Sequence, residues 1–223
     1  DTSGNWDTSL RYTYVVRDAS PPTINKVIRR PTTVTDNNTA SIFVNVTDDS
    51  GISKVILSYF NGSDWTNIVM QYNSTSEFYE TTIPVMPAGT TITYVIYAND
   101  TFGNLAVSQF YSYTVKDITP PEIVNVTRIP TTVTDRDIVV IFANITDNGG
   151  MSQVILSYYN GSTWTNMTMV YDQNKHLYEG VIPAMPADTT VVYKVYAVDI
   201  AGNLATSPVY VYTCLLYTSD AAD

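Results

Sequence analysis

Two stretches decide the fold: Thr91-Ile-Thr-Tyr-Val-Ile-Tyr-Ala-Asn-Asp-Thr-Phe-Gly-Asn104 and Thr190-Val-Val-Tyr-Lys-Val-Tyr-Ala-Val-Asp-Ile-Ala-Gly-Asn203. In the first, Ile92, Tyr94, Ile96 and Ala98 alternate with Thr93, Val95, Tyr97 and Asn99, the two-residue period that turns successive side chains to opposite faces of a strand. The Asp-x-x-Gly-Asn that closes each stretch is turn chemistry, Asp bonding its own backbone and Gly taking a positive φ. The second stretch repeats the pattern with Val191, Tyr193, Val195 and Ala197, 99 residues further on. At that offset, without a gap, Asp18–Thr114 matches Asp117–Thr213 at about 53 of 97 positions, which marks repeated domains rather than shared composition.

Working outward, alternating segments recur at roughly 8–12 residue spacing between Pro, Gly, Asn and Asp clusters, the signature of a sandwich. Seven strands are expected in the first copy, over 23–30, 40–47, 53–60, 65–72, 77–83, 91–99 and 109–115. The inward faces are Ile42, Val44 and Val46; Val55, Leu57 and Tyr59; and Ile92, Tyr94, Ile96 and Ala98. The second copy keeps the parity with Ile141, Ala143 and Ile145, then Val154, Leu156 and Tyr158, then Val191 to Ala197. A slip of one residue would turn a whole face outward, so kept parity is what a two-sheet core demands.

The run Pro87–Asn104, its copy Pro186–Asn203, the Asp-x-x-Pro-Pro openings at Asp18 and Asp117 and the Thr-Asp turns at Thr47 and Thr146 resemble the immunoglobulin-like, fibronectin type III-like tandem repeats of large prokaryotic, archaeal or bacterial, surface proteins. The resemblance covers both copies and implies an all-β fold of tandem seven-stranded immunoglobulin-like sandwiches. It departs from better-known patterns in having no inter-sheet Cys pair, and in Trp65 and Trp164 following the third strand. What it implies for function is a structural spacer or stalk on a secreted or cell-surface protein, its partners the neighbouring repeats of the same chain and surface glycans or other surface proteins. The alternatives are an adhesive or carbohydrate-binding module and the accessory repeats of a secreted enzyme.

Both ends depart from the repeat. In 1–17, Gly4, Asn5, Tyr12 and Tyr14 fall on Gly103, Asn104, Tyr111 and Tyr113, so this segment is expected to be the last strand of a truncated preceding repeat. The expected domains are 18–116 and 117–213. Residues 214–223, Cys-Leu-Leu-Tyr-Thr-Ser-Asp-Ala-Ala-Asp, break the pattern and back-translate to a string resembling a transposase adapter of sequencing-library preparation; they are expected to be adapter read-through and no domain. Between the copies only Lys116–Thr119 precede Pro120-Pro121, and consecutive prolines hold an extended, stiff backbone.

Charge narrows the partners. Eleven Lys and Arg against 21 Asp and Glu leave a net charge of −10, which repels phosphate backbones, so no nucleic acid partner is expected. A membrane would be reached only through an anchor outside this fragment. One Cys and one His exclude an internal disulfide and a Cys/His zinc site. His176 aligns with Glu77 and has no repeated nucleophile beside it, and Glu80 and Glu179 recur singly rather than as a carboxylate pair, so no catalysis is expected.

Three kinds of residue remain. Asp18, Asp48, Asp49 and Asp100, and in the second copy Asp117, Asp147 and Asp199, should gather near the domain junctions, where hard oxygen ligands could hold Ca²⁺, the one cofactor in view; the same residues also read as plain turn sequences. Asn-x-Ser/Thr occurs at Asn37, Asn45, Asn61, Asn73, Asn99, Asn125, Asn144, Asn160 and Asn166, against about four by chance, and marks glycosylation candidates of an extracellular chain. Trp65 and Trp164 follow Asn-Gly-Ser turns among Tyr59, Phe60, Tyr72 and Tyr79, and an aromatic platform there would stack on sugar rings; a buried indole would instead cap its own core.

Overall fold

The computed structural model describes residues 2–4 and 9–218. The first copy carries β1 (Thr23–Arg30), β2 (Ala40–Thr47), β3 (Ile52–Phe60), β4 (Trp65–Val69), β5 (Gln71–Asn73), β6 (Phe78–Ile83), β7 (Thr91–Asp100), β8 (Leu105–Val107) and β9 (Tyr111–Thr114). The second carries β10 (Glu122–Ile129), β11 (Val139–Thr146), β12 (Met151–Tyr159), β13 (Trp164–Thr168), β14 (Val170–Asp172), β15 (Leu177–Ile182), β16 (Thr190–Asp199), β17 (Leu204–Thr206) and β18 (Tyr210–Thr213). Among the described residues there is no helix.

In the first copy one sheet runs β1-β2-β6-β5 and the other β4-β3-β7-β8, with β9 also on β7; the second copy repeats this as β10-β11-β15-β14 and β13-β12-β16-β17, with β18 on β16. Two four- and five-stranded sheets in this order make each copy an immunoglobulin-like, fibronectin type III-like sandwich. The expected inward faces are the buried ones: Ile42, Val44, Val55, Leu57, Ile92, Ile96 and Ala98 are all at 0% exposure, as are Ile141, Ala143, Leu156, Val191, Val195 and Ala197. Tyrosines complete both cores. Tyr94 stacks on Tyr111 at 5.3 Å and Tyr193 on Tyr210 at 5.2 Å, with Tyr113 and Tyr212 buried beside them. Desolvation pushes the Tyr113 hydroxyl pKa up to about 12.

One expected strand is broken in two. The segment 65–72 changes sheets at Met70, which is buried and whose N–H donates to the Val55 carbonyl at 2.9 Å, so β4 belongs to one sheet and β5 to the other. Met169 does the same with Val154 at 2.8 Å. The alternation runs on through this step, so periodicity alone does not show it, and an unbranched Met fills the irregular gap. The expected strand 109–115 is realised as β9, and the short β8, which lies outside every expected strand, precedes it on the same partner β7. Between them the Ser108 hydroxyl accepts the Ile96 N–H at 2.9 Å, standing in for a backbone carbonyl while the chain steps out of the ladder. Ser207 does this for Val195 at 2.9 Å, which lets Pro208 follow.

The chain divides into two compact units, with 40–83 in the first and 122–218 in the second; the loops 33–39 and 84–91, to which Val115 and Lys116 bond, group with the second. Lys116 donates to Val34 O at 2.9 Å and accepts from Asp36 N–H at 3.0 Å in a parallel bridge, while Val115 exchanges backbone bonds with Gly89 and Thr90, each at 2.9 Å. The second copy does the same with Cys214 and Leu215. Leu215 bonds Val133 and Asp135 at 2.8 and 2.9 Å, and Cys214 bonds Asp188 and Thr189 at 2.8 and 3.0 Å. The sandwich thus continues two residues past 213: backbone bonds do not read side chains, and Cys214, 1% exposed, packs as a small hydrophobe in place of Val115. At the other end, residues 9–17 form no strand. Leu10, Tyr12, Tyr14, Val15 and Val16 are exposed, because a strand needs a ladder partner to form. Asn5 and residues 219–223 lie outside the described residues.

Candidate metal centres

Each sandwich gathers three carboxylates where its chain enters. Asp18 precedes β1, Asp48 follows β2 and Asp100 ends β7; one carboxylate oxygen from each lies within 4.8 Å of the other two. Asp117, Asp147 and Asp199 form the same group in the second copy. Two ligands on opposite sides of an ion with oxygens at about 2.4 Å stand about 4.8 Å apart, so both triads have the span of a Ca²⁺ shell. Asp49 is exposed and outside the triad, although it lines the same surface depression as Asp18 and Asp48.

The turns hold the triads open rather than closing them. Asp100 Oδ1 accepts the N–H groups of Phe102 and Asn104 at 2.9 and 2.8 Å, and Asn104 Nδ2 donates both to Asp100 Oδ2 at 2.6 Å and to the Asp18 carbonyl at 3.1 Å. Asp199 is held by Asn203 through its backbone and side chain, both at 2.7 Å. Asp48 Oδ1 accepts from Ser50 N and Oγ, while Asp147 Oδ2 accepts from Gly149 and Gly150 at 2.8 and 2.6 Å. Gly149 replaces Ser50, and the Asp117 carboxylate occupies the space that a side chain there would need. Sequence reasoning missed Asn104 and Asn203; the signal was the Gly-Asn pair recurring at Gly4, Gly103 and Gly202.

Asp18 Oδ2 in one triad and Asp147 Oδ1 in the other are enclosed and have no hydrogen-bond partner among the described residues. An enclosed, unsatisfied carboxylate oxygen is costly, and a bound cation is one of the few groups that removes the cost. The charges also feel one another. Desolvation, then the Asp199, Asp36 and Asp147 carboxylates, raise the Asp117 pKa above its ordinary value against the lowering effect of the Thr119 N–H bond. For Asp199 desolvation acts against ionisation, but the Asn203 bonds outweigh it and hold the carboxyl below the ordinary value; Asp100 is lowered in the same way by Asn104 and Phe102.

The indoles are not capping a core. Trp65 is 52% and Trp164 54% exposed on the edge strands β4 and β13. Trp65 packs against Phe60 at 5.6 Å and Phe110 at 6.3 Å; Trp164 packs against Tyr159 at 5.7 Å, with Lys194 Nζ 5.9 Å from its ring. The ring pairs are tilted at 42–58° rather than coplanar.

The nine sequons fall in three settings. Asn45, Asn99 and Asn144 sit within the inner strands β2, β7 and β11, and Asn125 and Asn166 on the outer strands β10 and β13. Asn37 lies in the loop before β2, and Asn61, Asn73 and Asn160 are at hairpin turns.

No protein-family profile matches the chain, and no curated protein does. Among solved structures it is similar to the FN1–FN3 domains of chicken CNTN1, at 13% identity and a TM-score of 0.36 over 88% of this chain and 69% of that one. It is also similar to a two-domain fibronectin type III segment of chicken tenascin, at 12% identity and a TM-score of 0.44 over 87% of this chain and 99% of that one.

Proposed function

We propose that this chain is a run of non-catalytic spacer repeats of a secreted or cell-surface protein, each repeat holding Ca²⁺ at its acidic triad. The observation that carries the reading is duplication of a complete unit: each copy builds its own two-sheet core, and the same three-carboxylate group beside it, from residues at the same register. A unit that needs nothing from its neighbour to bury its core lets a chain gain length by repetition. The short Lys116–Thr119 linker ahead of Pro120-Pro121 favours a restricted rather than a freely swinging connection. Small-angle scattering of the chain with and without millimolar calcium tests this. The expected profile is elongated, at about 35–40 Å per repeat from strands of about eight residues plus their loops, and its spread of conformations narrows with calcium. A closely packed pair would overturn the spacer reading.

The exposure of Trp65 and Trp164 favours a second reading, an adhesive or carbohydrate-binding module. In that case soluble glycans quench or shift the indole emission saturably, and Trp65→Ala with Trp164→Ala abolishes binding while the unfolding free energy stays within about 0.5 kcal/mol of the parent. The spacer reading expects no saturable change up to millimolar sugar.

A further inference from the structure

We infer that Asn61 and Asn160, at the tips of the β3–β4 and β12–β13 hairpins, are N-glycan acceptors in the folded protein, ahead of the seven other sequons; biological use of these sites rests on the extracellular reading above. The two tips are built alike. Asn61 Oδ1 accepts the N–H groups of Ser63 and Asp64 at 3.0 and 2.9 Å and the Ser63 hydroxyl at 2.9 Å. Asn160 Oδ1 accepts from Ser162 N and Thr163 N at 3.1 and 2.9 Å and from the Ser162 hydroxyl at 2.9 Å. The Gly between them, at φ 99° for Gly62 and 92° for Gly161, is what lets the chain fold back this tightly. The result brings together the two groups the sequon requires, the side-chain amide and the hydroxyl two residues on, and leaves Nδ2 of each Asn without a partner among the described residues. The next residues, 62–65 and 161–164, are all exposed.

The other sequons lack one of these conditions. Asn45 Nδ2 is spent on the Glu77 carbonyl at 3.1 Å, and its Oδ1 accepts from Asn25. Asn99 lies in β7 between Lys54 and Leu105, and Asn144 faces Asn125 across the β10–β11 ladder, so an enzyme would have to open a sheet to take them in a turn. Asn166 pairs with Ser157 in extended backbone. Asn37 Oδ1 is bonded by Thr35 rather than by the sequon hydroxyl of Thr39. Asn73 is at a turn and bonds the N–H groups of Thr75 and Ser76, but the Thr75 hydroxyl does not join it, and the second copy has Asp172 at this place.

The reaction joins Nδ2 to the anomeric carbon of a lipid-linked oligosaccharide pyrophosphate. The anomeric C–O bond of that donor breaks, the lipid pyrophosphate leaves with the electron pair, and the amide nitrogen gives one proton to a base of the transferase. The test uses the purified chain, folded and, in parallel, unfolded and cut by trypsin (then inhibited) so that it cannot refold, with a single-subunit eukaryotic-type oligosaccharyltransferase and its lipid-linked donor. Sites are read by peptide mass after glycoamidase release in heavy-oxygen water. In the folded chain Asn61 and Asn160 are expected to exceed Asn45, Asn99 and Asn144 by about tenfold or more, because sheet strands open only at a large part of the global unfolding free energy; in the unfolded chain the gap narrows. Equal use of the strand sites in the folded chain, or no modification of Asn61 and Asn160 in either state, overturns the assignment. Because enzyme and donor are supplied, neither result depends on where the native protein resides, and failure here leaves the spacer reading to its own scattering test.

Discussion

Calcium at about 10 mM is expected to raise the melting temperature of the metal-free chain by about 5–10 °C, the gain for sites of about millimolar affinity in domains of this size. The decisive variants are Asp18→Asn and Asp147→Asn. An Asn can keep one oxygen for the turn bonds from Ser20 at position 18, or from Gly149 and Gly150 at position 147, while placing an amide where Asp18 Oδ2 or Asp147 Oδ1 now has no partner. The double variant therefore loses the calcium gain without losing the turns, and its metal-free form melts no lower than the parent, because a repelling charge has gone. An undiminished calcium shift in the double variant would rule out the triads as the site.

The response to pH has a definite sign. Asp117, raised above 3.8, favours the native state when protonated, and that contribution is lost as pH rises through its folded pKa. Asp199, lowered below 3.8, stabilises the native state when ionised, and that contribution is lost as pH falls through its folded pKa. On acidification Asp117 is neutralised first. The calcium shift in melting temperature thus begins to fade above 3.8, while the metal-free chain is still holding, and below 3.8 the Asp199 turn weakens as well. Differential scanning calorimetry across this range, with and without calcium, reads both effects.

Leu57→Ala is expected to cost the first repeat about 2–5 kcal/mol and to lower its transition by about 10 °C or more, leaving the second repeat's transition in place. Leu57 is at 0% exposure on β3, the strand shared between β4 and β7, so the vacated volume has no flexible wall to collapse it. Leu156 holds the same place in the second repeat, with its Cδ2 filling the space that a Cβ on Gly180 would need, and Leu156→Ala should mirror the effect there. Two separated calorimetric transitions in either variant are the expected observation; one transition shifted as a whole would mean that the repeats do not melt as separate cores.

Strand parity was legible because it is a local pattern with a two-residue period, and the inward faces of β2, β3 and β7 follow from it residue by residue. The acidic triads were legible in part. That Asp18, Asp48 and Asp100 converge follows from which strand ends share a pole of such a sandwich, but which of the adjacent Asp48 and Asp49 brings an oxygen into the triad is set by the turn and carries no pattern in the sequence. What sequence did not show were the places where a side chain does the work of backbone: Ser108 and Ser207 filling a ladder position, and Asn104 tying Asp100 to the Asp18 carbonyl. Such substitutions carry no periodic signal. The sheet change at Met70 is hidden for the opposite reason, since the periodic signal continues unbroken across it.

The parallel bridges between Thr35 and Lys116 and between Thr134 and Leu215 bear on how a repeat would yield under tension. A stretching force draws the segment at 34–36 by its N-terminal side and the segment at 115–116 by its C-terminal side. In parallel segments this direction runs across the hydrogen bonds, so Lys116 to Val34 and Asp36 to Lys116 are loaded together in shear instead of opening one after another like a zip. The bridge is in that sense a mechanical latch at the exit of each sandwich. On the spacer reading, the clasp would resist extension through backbone bonds alone, indifferent to whether Lys116 or Leu215 supplies the side chain.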